Sequence, residues 1–132
     1  MTKSHDLPIR VYYEDTDAGG VMYHASHIRF CERGRTEFLR ELGFQNSGLF
    51  KKHGLLFVVR HLSADYRMPA FLDDMLSLTT YVLSTKNTSF VMRQTLKRDK
   101  NTLFEMDVVI ACISKEGKPV KIPLEILSLL KD

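Results

Sequence analysis

One long stretch with helical spacing is followed by four strand-like stretches, and this order most constrains the fold. Between His24 and Leu42 apolar residues recur at three- and four-residue steps, and Gly43 stands where a left-handed helix end is expected. The later stretches are rich in Val, Thr, Phe and Tyr and are separated by turn residues: Leu55–Arg67, Met75–Thr85, Ser89–Arg98 and Leu103–Ser114. The pattern predicts an α+β sandwich of two layers, in which an antiparallel sheet of hairpins wraps one apolar-faced helix.

Shorter elements flank this helix. Alternating residues predict a first strand over Leu7–Tyr13, with Ile9, Val11 and Tyr13 on one face. Asn46–His53 and Leu124–Leu130 are interpreted as short helices. Gly34 inside the long helix costs about 1 kcal/mol relative to alanine, which indicates a close approach of helix to sheet. No repeat or linker interrupts the chain, so we expect one domain over residues 1–132.

Composition excludes several classes of protein. Apolar residues make up 44% of the chain and charged residues 27%, as in ordinary globular proteins. The formal charge of +3 is spread along the chain, whereas a nucleic-acid-binding protein needs a concentrated basic stripe. No signal peptide and no apolar run long enough to span a bilayer is found. Cys31 and Cys112 fall at periodic apolar positions, so we expect reduced core thiols in a cytosolic protein.

The joint between the first strand and the long helix carries the chemistry. Residues 12–24 contain three acids, two adjacent glycines, three tyrosines and a histidine. A structural joint needs only a turn residue and a helix cap, and it gains nothing from carboxylates that repel one another in a glycine-rich bend. Acid–base or nucleophilic work beside a helix N-terminus would use all of these groups. We therefore predict that this stretch is the active site.

The three acids of the joint cannot all serve one site. On a strand Tyr13 and Asp15 share one face and Glu14 takes the other, so a turn or structural role is expected for Asp15. From the residues alone, Asp17 is either a catalytic carboxylate or a helix cap. Gly19 and Gly20 either let the chain approach a ligand closely or form a plain tight turn.

Two histidines and a tyrosine begin the helix. His24 and His27 lie three apart on one helical face, but a zinc site needs three or four ligands and no further ligand follows at a familiar spacing. We therefore expect neither a metal nor a redox cofactor. From the residues alone, Tyr23 is either a site residue or a packed aromatic.

The joint resembles the active-site signature of a known family. Arg10-Val11, followed by residues 13–24 (YEDTDAGGVMYH), is similar to the signature of the 4-hydroxybenzoyl-CoA thioesterase family, and within it to the YbgC-type acyl-CoA thioesterases of the bacterial Tol-Pal locus. Residues 32–37 (ERGRTE), 64–66 (ADY) and 88–90 (TSF) support the likeness over nearly the whole chain. Met22, His27 and Gly34 depart from the residues commoner there, which are valine, tyrosine and alanine.

The resemblance implies a hotdog fold and hydrolysis of acyl-CoA thioesters. Asp17 would attack the thioester or activate water, and the backbone amide of His24 would stabilise the oxyanion, with Tyr23 beside it as a further catalytic position. The side chain of His24 would orient water or the acyl group, or hydrogen-bond Asp17. Coenzyme A carries phosphates that need cations at a rim. The candidate cations at the hairpin ends and the C-terminal turn are Lys86, Arg98, Lys115, Lys118 and Lys121. The further substrate-binding positions are Gly19, Gly20 and Ser89.

The resemblance also implies partners and a location. We expect a homodimer or homotetramer, acyl carrier protein as a second carrier of the acyl group, and phospholipid-synthesis enzymes as partners. The location would be cytoplasmic and peripheral to the inner membrane. Two alternatives stay open: a scaffold or acyl-ligand-binding protein with little turnover, and a hydratase or dehydratase that uses His24 and His27.

Overall fold

The computed structural model describes residues 3–131 and contains one five-stranded antiparallel sheet with a long helix packed on it. The predicted α+β architecture is confirmed. In chain order the elements are β1 (Ser4–Arg10), α1 (His24–Glu41), α2 (Asn46–His53), β2 (Leu55–Tyr66), β3 (Met75–Thr85), β4 (Ser89–Arg98), β5 (Asn101–Ser114) and α3 (Leu124–Leu130). These bounds match the predicted helices and later strands to within two residues.

The strand order departs from a simple series of hairpins. The order across the sheet is β1-β3-β4-β5-β2, so β3, β4 and β5 form the predicted hairpins. β2 lies at the far edge and pairs with β5 rather than with β3. The connection over residues 67–74 therefore crosses the sheet from one edge region to the other. Short-range pattern cannot predict this crossover, because it specifies which residues extend and not which strands pair.

The first strand ends earlier than predicted. β1 stops at Arg10, and a single 3₁₀ turn over Tyr13–Asp15 follows it. Ile9 and Val11 are buried as expected, but Tyr13 is 81% exposed and lies off the strand. The Asp15 carboxylate causes the turn, because its Oδ2 accepts a hydrogen bond of 2.8 Å from the Tyr12 amide and closes the chain back on itself.

Helix α1 packs across β1 and β3, closest at Gly34. A Cβ atom at Gly34 would lie 2.5 Å from Leu78 Cδ2 and 2.9 Å from Thr80 Oγ1, so the predicted close approach is confirmed. Cys31 and Cys112 are buried free thiols, also as predicted. Among the described residues, no helix has the length and apolar character needed to cross a membrane.

The outer edge of β2 is open. Within residues 3–131, β2 pairs only with β5. Three apolar side chains along it, Leu56, Val58 and Val59, are 38%, 36% and 45% exposed. An unpaired, apolar strand edge is a surface that proteins normally cover or charge.

Candidate active site

The loop between the 3₁₀ turn and α1 is tightly held. The Asp17 amide donates to the Val21 carbonyl (2.9 Å), and the Gly20 amide donates to the Asp17 carbonyl (3.1 Å). Gly20 has a φ of +78°, a conformation that disfavours residues with a Cβ. Loop 67–74 holds it from the other side, since the Met22 amide donates to the Ala70 carbonyl (2.8 Å). The site loop is therefore fixed by its own turn and by the crossover connection.

Asp17 is positioned but not desolvated. Its Oδ1 accepts hydrogen bonds from the amides of Gly19 (2.9 Å) and Val21 (3.4 Å). Its Oδ2 accepts none from residues 3–131, and the side chain is exposed on a cleft shared with Tyr13 and Leu72. The positioning expected of a catalytic carboxylate is present, whereas water exclusion has to come from a ligand or a second chain.

Asp15 has a structural role. It is 5% exposed, and its Oδ2 is occupied by the Tyr12 amide. Its backbone carbonyl accepts from the Tyr23 amide (2.8 Å) and from Ser26 Oγ (3.1 Å). The carboxylate of Asp15 thus closes the 3₁₀ turn, and its carbonyl ties that turn to the start of α1, as expected for a structural acid.

Two amides at the start of α1 are open. The Tyr23 amide donates to the Asp15 carbonyl, so it is not available to an oxyanion. The amides of His24 and Ala25 meet no acceptor among residues 3–131. Open amides at a helix start carry partial positive charge and stabilise an anion. The sequence singled out His24; Ala25 was missed, although the rule that the first helical amides lack partners could have found it.

A cleft of about 260 Å³ lies beside the helix start. His24 and His27 line it together with Tyr66 and Met68 from the end of β2 and the following loop. Tyr66 was also missed: its hydroxyl donates to the His24 carbonyl over 2.6 Å and ties β2 to the first turn of the helix. This contact joins residues 42 positions apart, so no local signal marks it.

His27 is enclosed by aromatic rings. Its ring lies 4.8 Å from that of Tyr66 and 4.9 Å from that of Phe104, and its Nδ1 is 3.2 Å from the Tyr23 carbonyl. Burial lowers the pKa of His27 below its ordinary value of 6.5, partly offset by backbone hydrogen bonding. The neutral ring donates from Nδ1 to that carbonyl. Within the described part of the chain, no three His, Cys, Asp or Glu side chains are arranged to hold a metal ion.

Tyr23 caps α1 with its backbone in an extended conformation. Its side chain is exposed, and its ring lies 4.5 Å from that of His24. The ring is therefore a wall of the helix start rather than a core aromatic, which leaves it accessible to a ligand.

The predicted substrate-binding side chains lie at two opposite ends of the sheet. Arg98 is at the same end as the site, where its Nη1 pairs with Asp74 Oδ2 at 2.6 Å. Lys86, Ser89 and Lys118 are at the other end, around the β3–β4 hairpin and the segment after β5. β4 runs ten residues from Ser89 to Arg98, which is about 33 Å. Within one chain, Lys86, Ser89 and Lys118 do not meet Asp17.

A family model described as the thioesterase-like superfamily matches residues 11–130, and so includes the whole site loop and every strand after it. The chain belongs to this family. An acyl-CoA thioesterase, YbgC, from Haemophilus influenzae is 45% identical over 127 residues, which cover 96% of this chain and 93% of that protein.

Two solved structures extend the comparison. A probable thioesterase from Bartonella henselae superposes with a TM-score of 0.87 at 40% identity, covering 92% of this chain and all of that one. A 4-hydroxybenzoyl CoA thioesterase complexed with 4-hydroxybenzoyl CoA superposes with a TM-score of 0.90, covering 96% and 98%. At 16% identity it shows the fold alone, and that fold confirms the predicted hotdog arrangement.

Proposed function

We propose that this thioesterase hydrolyses acyl-CoA to a free acid and coenzyme A, with Asp17 as the catalytic carboxylate. One observation carries the assignment to this site: an acid fixed through Oδ1, with Oδ2 open, is on the loop that leads to two open amides. The amides of His24 and Ala25 would stabilise the oxyanion as the carbonyl carbon is attacked. Loss of one such donor typically costs on the order of a hundred- to a thousand-fold in rate.

Two routes use the same groups. As a general base, Asp17 takes a proton from water, the water oxygen bonds to the carbonyl carbon, and the carbon–sulfur bond breaks with the thiolate taking up a proton. As a nucleophile, Asp17 bonds to that carbon, expels the thiolate and forms an anhydride, which water then opens. Label in Asp17 after a single turnover in ¹⁸O-water would establish the nucleophilic route, because only water attack at the aspartyl carbon of an anhydride leaves label there.

The test of the function is thiol release from a panel of acyl-CoAs, with crotonyl-CoA hydration followed in parallel. Hydrolysis of one or more members supports the proposal. Hydration without thiol release would support the hydratase alternative instead. Binding of acyl-CoA without either reaction would support a scaffold or acyl-ligand-binding protein.

We also propose that the working unit is a homodimer joined through β2, with pairing of dimers into a tetramer. The open edge with Leu56, Val58 and Val59 supports this, because a two-fold axis would pair two β2 strands antiparallel. The Tyr66 end of one strand, with its cleft, would then face the Phe57 end of the other. Val58→Lys should give a monomer in sedimentation with much reduced turnover, whereas a fully active monomer would exclude the dimer as the working unit.

The distant lysines fit the proposal only in a shared site. Lys86 or Lys118 would contact the phosphates of a substrate held by another chain, since neither meets Asp17 of its own chain. Neutralising the correct lysine should raise KM and leave kcat nearly unchanged, because phosphate contacts are equal in ground and transition states. Equal KM for acyl-CoA and its 3′-dephospho form would exclude a dedicated phosphate site.

The remaining proposals rest on the resemblance alone. They are acyl carrier protein as a second carrier, phospholipid-synthesis enzymes as partners, and a cytoplasmic location peripheral to the inner membrane. Turnover of acyl carrier protein thioesters, measured beside the CoA thioesters of the same acyl group, tests the first of them.

A further inference from the structure

A second cavity, of about 350 Å³, lies between α1, α2 and the open strand β2. Helix α1 contributes Arg35 to it, eleven residues after His24, or about 16 Å along the helix axis. The cavity is therefore separate from the cleft at the helix start. The helices line it with polar side chains as well as Leu39, among them Glu32, Thr36 and Asn46. The sheet side of the cavity is apolar and is formed by Phe57, Val58, Val59, Phe90, Met92 and Ile110.

Arg35 is held in place by a buried hydrogen-bond network. Its Nη1 donates to Gln94 Oε1 over 3.0 Å. Gln94 Nε2 in turn donates to the Cys31 carbonyl (2.7 Å) and to Thr80 Oγ1 (3.0 Å), and both Gln94 and Thr80 are completely buried. Both polar atoms of the Gln94 side-chain amide are thus hydrogen-bonded. This network fixes the orientation of the Arg35 guanidinium. Gly34 brings the helix close enough to the sheet for this contact.

Arg35 has no direct ion-pair partner among residues 3–131. Burial lowers the pKa of its guanidinium, and the nearby charges of Cys31 and Glu32 offset this only in part, yet an arginine does not lose its proton in a protein. Two other arginines show the usual solution: Arg93 binds Asp107 through two hydrogen bonds, and Arg98 binds Asp74. None of the ion pairs among residues 3–131 includes Arg35, and Glu32, which also lines the cavity, makes no ion pair with it.

We propose that this cavity binds a carboxylate carried on a short apolar chain, with the carboxylate on Arg35. A planar guanidinium already oriented by Gln94 suits the two oxygens of a carboxylate. The apolar walls from β2, β4 and β5 suit the chain attached to it, and the volume is at the small end for ligand pockets. Binding there gives a partly buried cation a direct ion-pair partner, which it lacks among the described residues.

The carboxylate has two sources. One is a free monocarboxylic acid, such as the product of thioester hydrolysis. The other is a carboxylate at the distal end of an acyl group, and this source rests on the proposed function and on a shared site across β2. The chemistry at Arg35 is the same for both.

Calorimetry on the full chain tests binding without any turnover. Parent protein should bind octanoate at least about tenfold more tightly than octanamide, since a charge-assisted hydrogen bond exceeds a neutral one. Arg35→Met should remove that preference. The matched control is Arg33→Met, which removes an exposed arginine of the same helix and should leave octanoate binding unchanged.

The octanoate–octanamide comparison uses the parent protein, so it stands even if Arg35→Met leaves Gln94 unsatisfied and destabilises the fold. Equal affinity for the two ligands, or no binding of octanoate, overturns the proposal. So does octanoate binding that persists in a folded Arg35→Met variant.

A kinetic arm distinguishes the sources. A kcat/KM that favours suberyl-CoA over octanoyl-CoA, and loses that preference in Arg35→Met, assigns the distal carboxylate of an acyl group. Competitive inhibition by octanoate that requires Arg35, without such a preference, assigns the free acid. If no acyl-CoA is hydrolysed, the proposed function fails. The calorimetric result still decides whether the cavity at Arg35 binds a carboxylate.

Discussion

Hydrogen-bonding groups lack partners at the first turn of helix α1, whereas those near its middle are paired. At the first turn, the amides of His24 and Ala25 are without partners among residues 3–131, and so is one oxygen of Asp17 on the loop that leads to this turn. At the middle, around Gly34, each polar atom of the Gln94 amide group is bonded and the packing leaves no room for a Cβ. Open groups beside a cleft are available to a ligand, whereas closed groups between helix and sheet stabilise the fold. The contact of Gly34 with the sheet therefore stabilises the fold, whereas the groups at the first turn are available to a ligand.

The strongest test of the comparison is Asp17→Asn. The amide oxygen still accepts from the Gly19 amide, so the loop is retained, but the group is neither a base nor a competent nucleophile. We expect turnover to fall at least about a hundredfold, with an unchanged melting temperature. Steady-state kinetics and thermal melts check this. Activity within threefold of the parent corresponds to a change of roughly 0.6 kcal/mol in activation free energy. Such a small change would show that Asp17 is not the catalytic carboxylate.

Asp15→Ala provides the matched control two residues away. It leaves the partly buried Tyr12 amide without its acceptor, which costs up to about 1–3 kcal/mol. Stability should therefore fall while the remaining folded enzyme retains activity, the reverse of the result at Asp17.

Alanine at two glycines tests the middle of the helix. Gly34→Ala places a methyl group against Thr80 and Gln94, which hydrogen bonds hold in place, and overpacking of about 1–3 kcal/mol outweighs the helix propensity gained. In α2, Gly48→Ala meets nothing within 4 Å and should stabilise the protein by up to about 1 kcal/mol. Urea unfolding of both variants checks the opposite signs. A more stable Gly34→Ala variant would mean that the middle of α1 is not closely packed.

A pH series tests the buried histidine at the first turn. The pKa of His27 is lowered in the folded state, so on acidification the unfolded chain takes up its proton first, from about pH 6.5. The free energy of unfolding should fall as the pH decreases from 6.5 toward the folded pKa, by at most about 1.4 kcal/mol per unit of difference. His27→Phe, which suits the space between Tyr66 and Phe104, should lose this part of the dependence. An identical pH dependence of the free energy of unfolding in parent and variant would contradict this role of His27.

Tyr66→Phe is the smallest perturbation. It removes the hydroxyl that holds the His24 carbonyl, a net loss of about 0.5–1.5 kcal/mol. The first turn should become less well positioned, with a several-fold decrease in kcat/KM. Tyr23→Phe is the comparison, because its hydroxyl makes no hydrogen bond among residues 3–131. Equal effects of the two variants would indicate that Tyr66 only packs.

The sequence by itself determined most of the helices and strands, and it predicted where the catalytic acid lies. Helical spacing predicted α1, and alternation with turn residues predicted three of the strands after it closely, because these patterns reflect local backbone geometry. The glycine-rich joint predicted the site, and the family likeness predicted Asp17 within it; both stay predictions. The early end of β1 was missed because the Asp15 carboxylate overrides strand alternation at Tyr13.

The tertiary structure decided which distant residues meet. Pairing β2 with β5 carries Tyr66 to the start of α1, and it leaves Lys86, Ser89 and Lys118 at the opposite end of the sheet from Asp17. The helix–sheet approach at Gly34 brings Arg35 to Gln94, 59 residues away. Patterns of neighbouring residues encode local geometry, whereas strand order and long-range polar contacts depend on how whole elements bury their surfaces together.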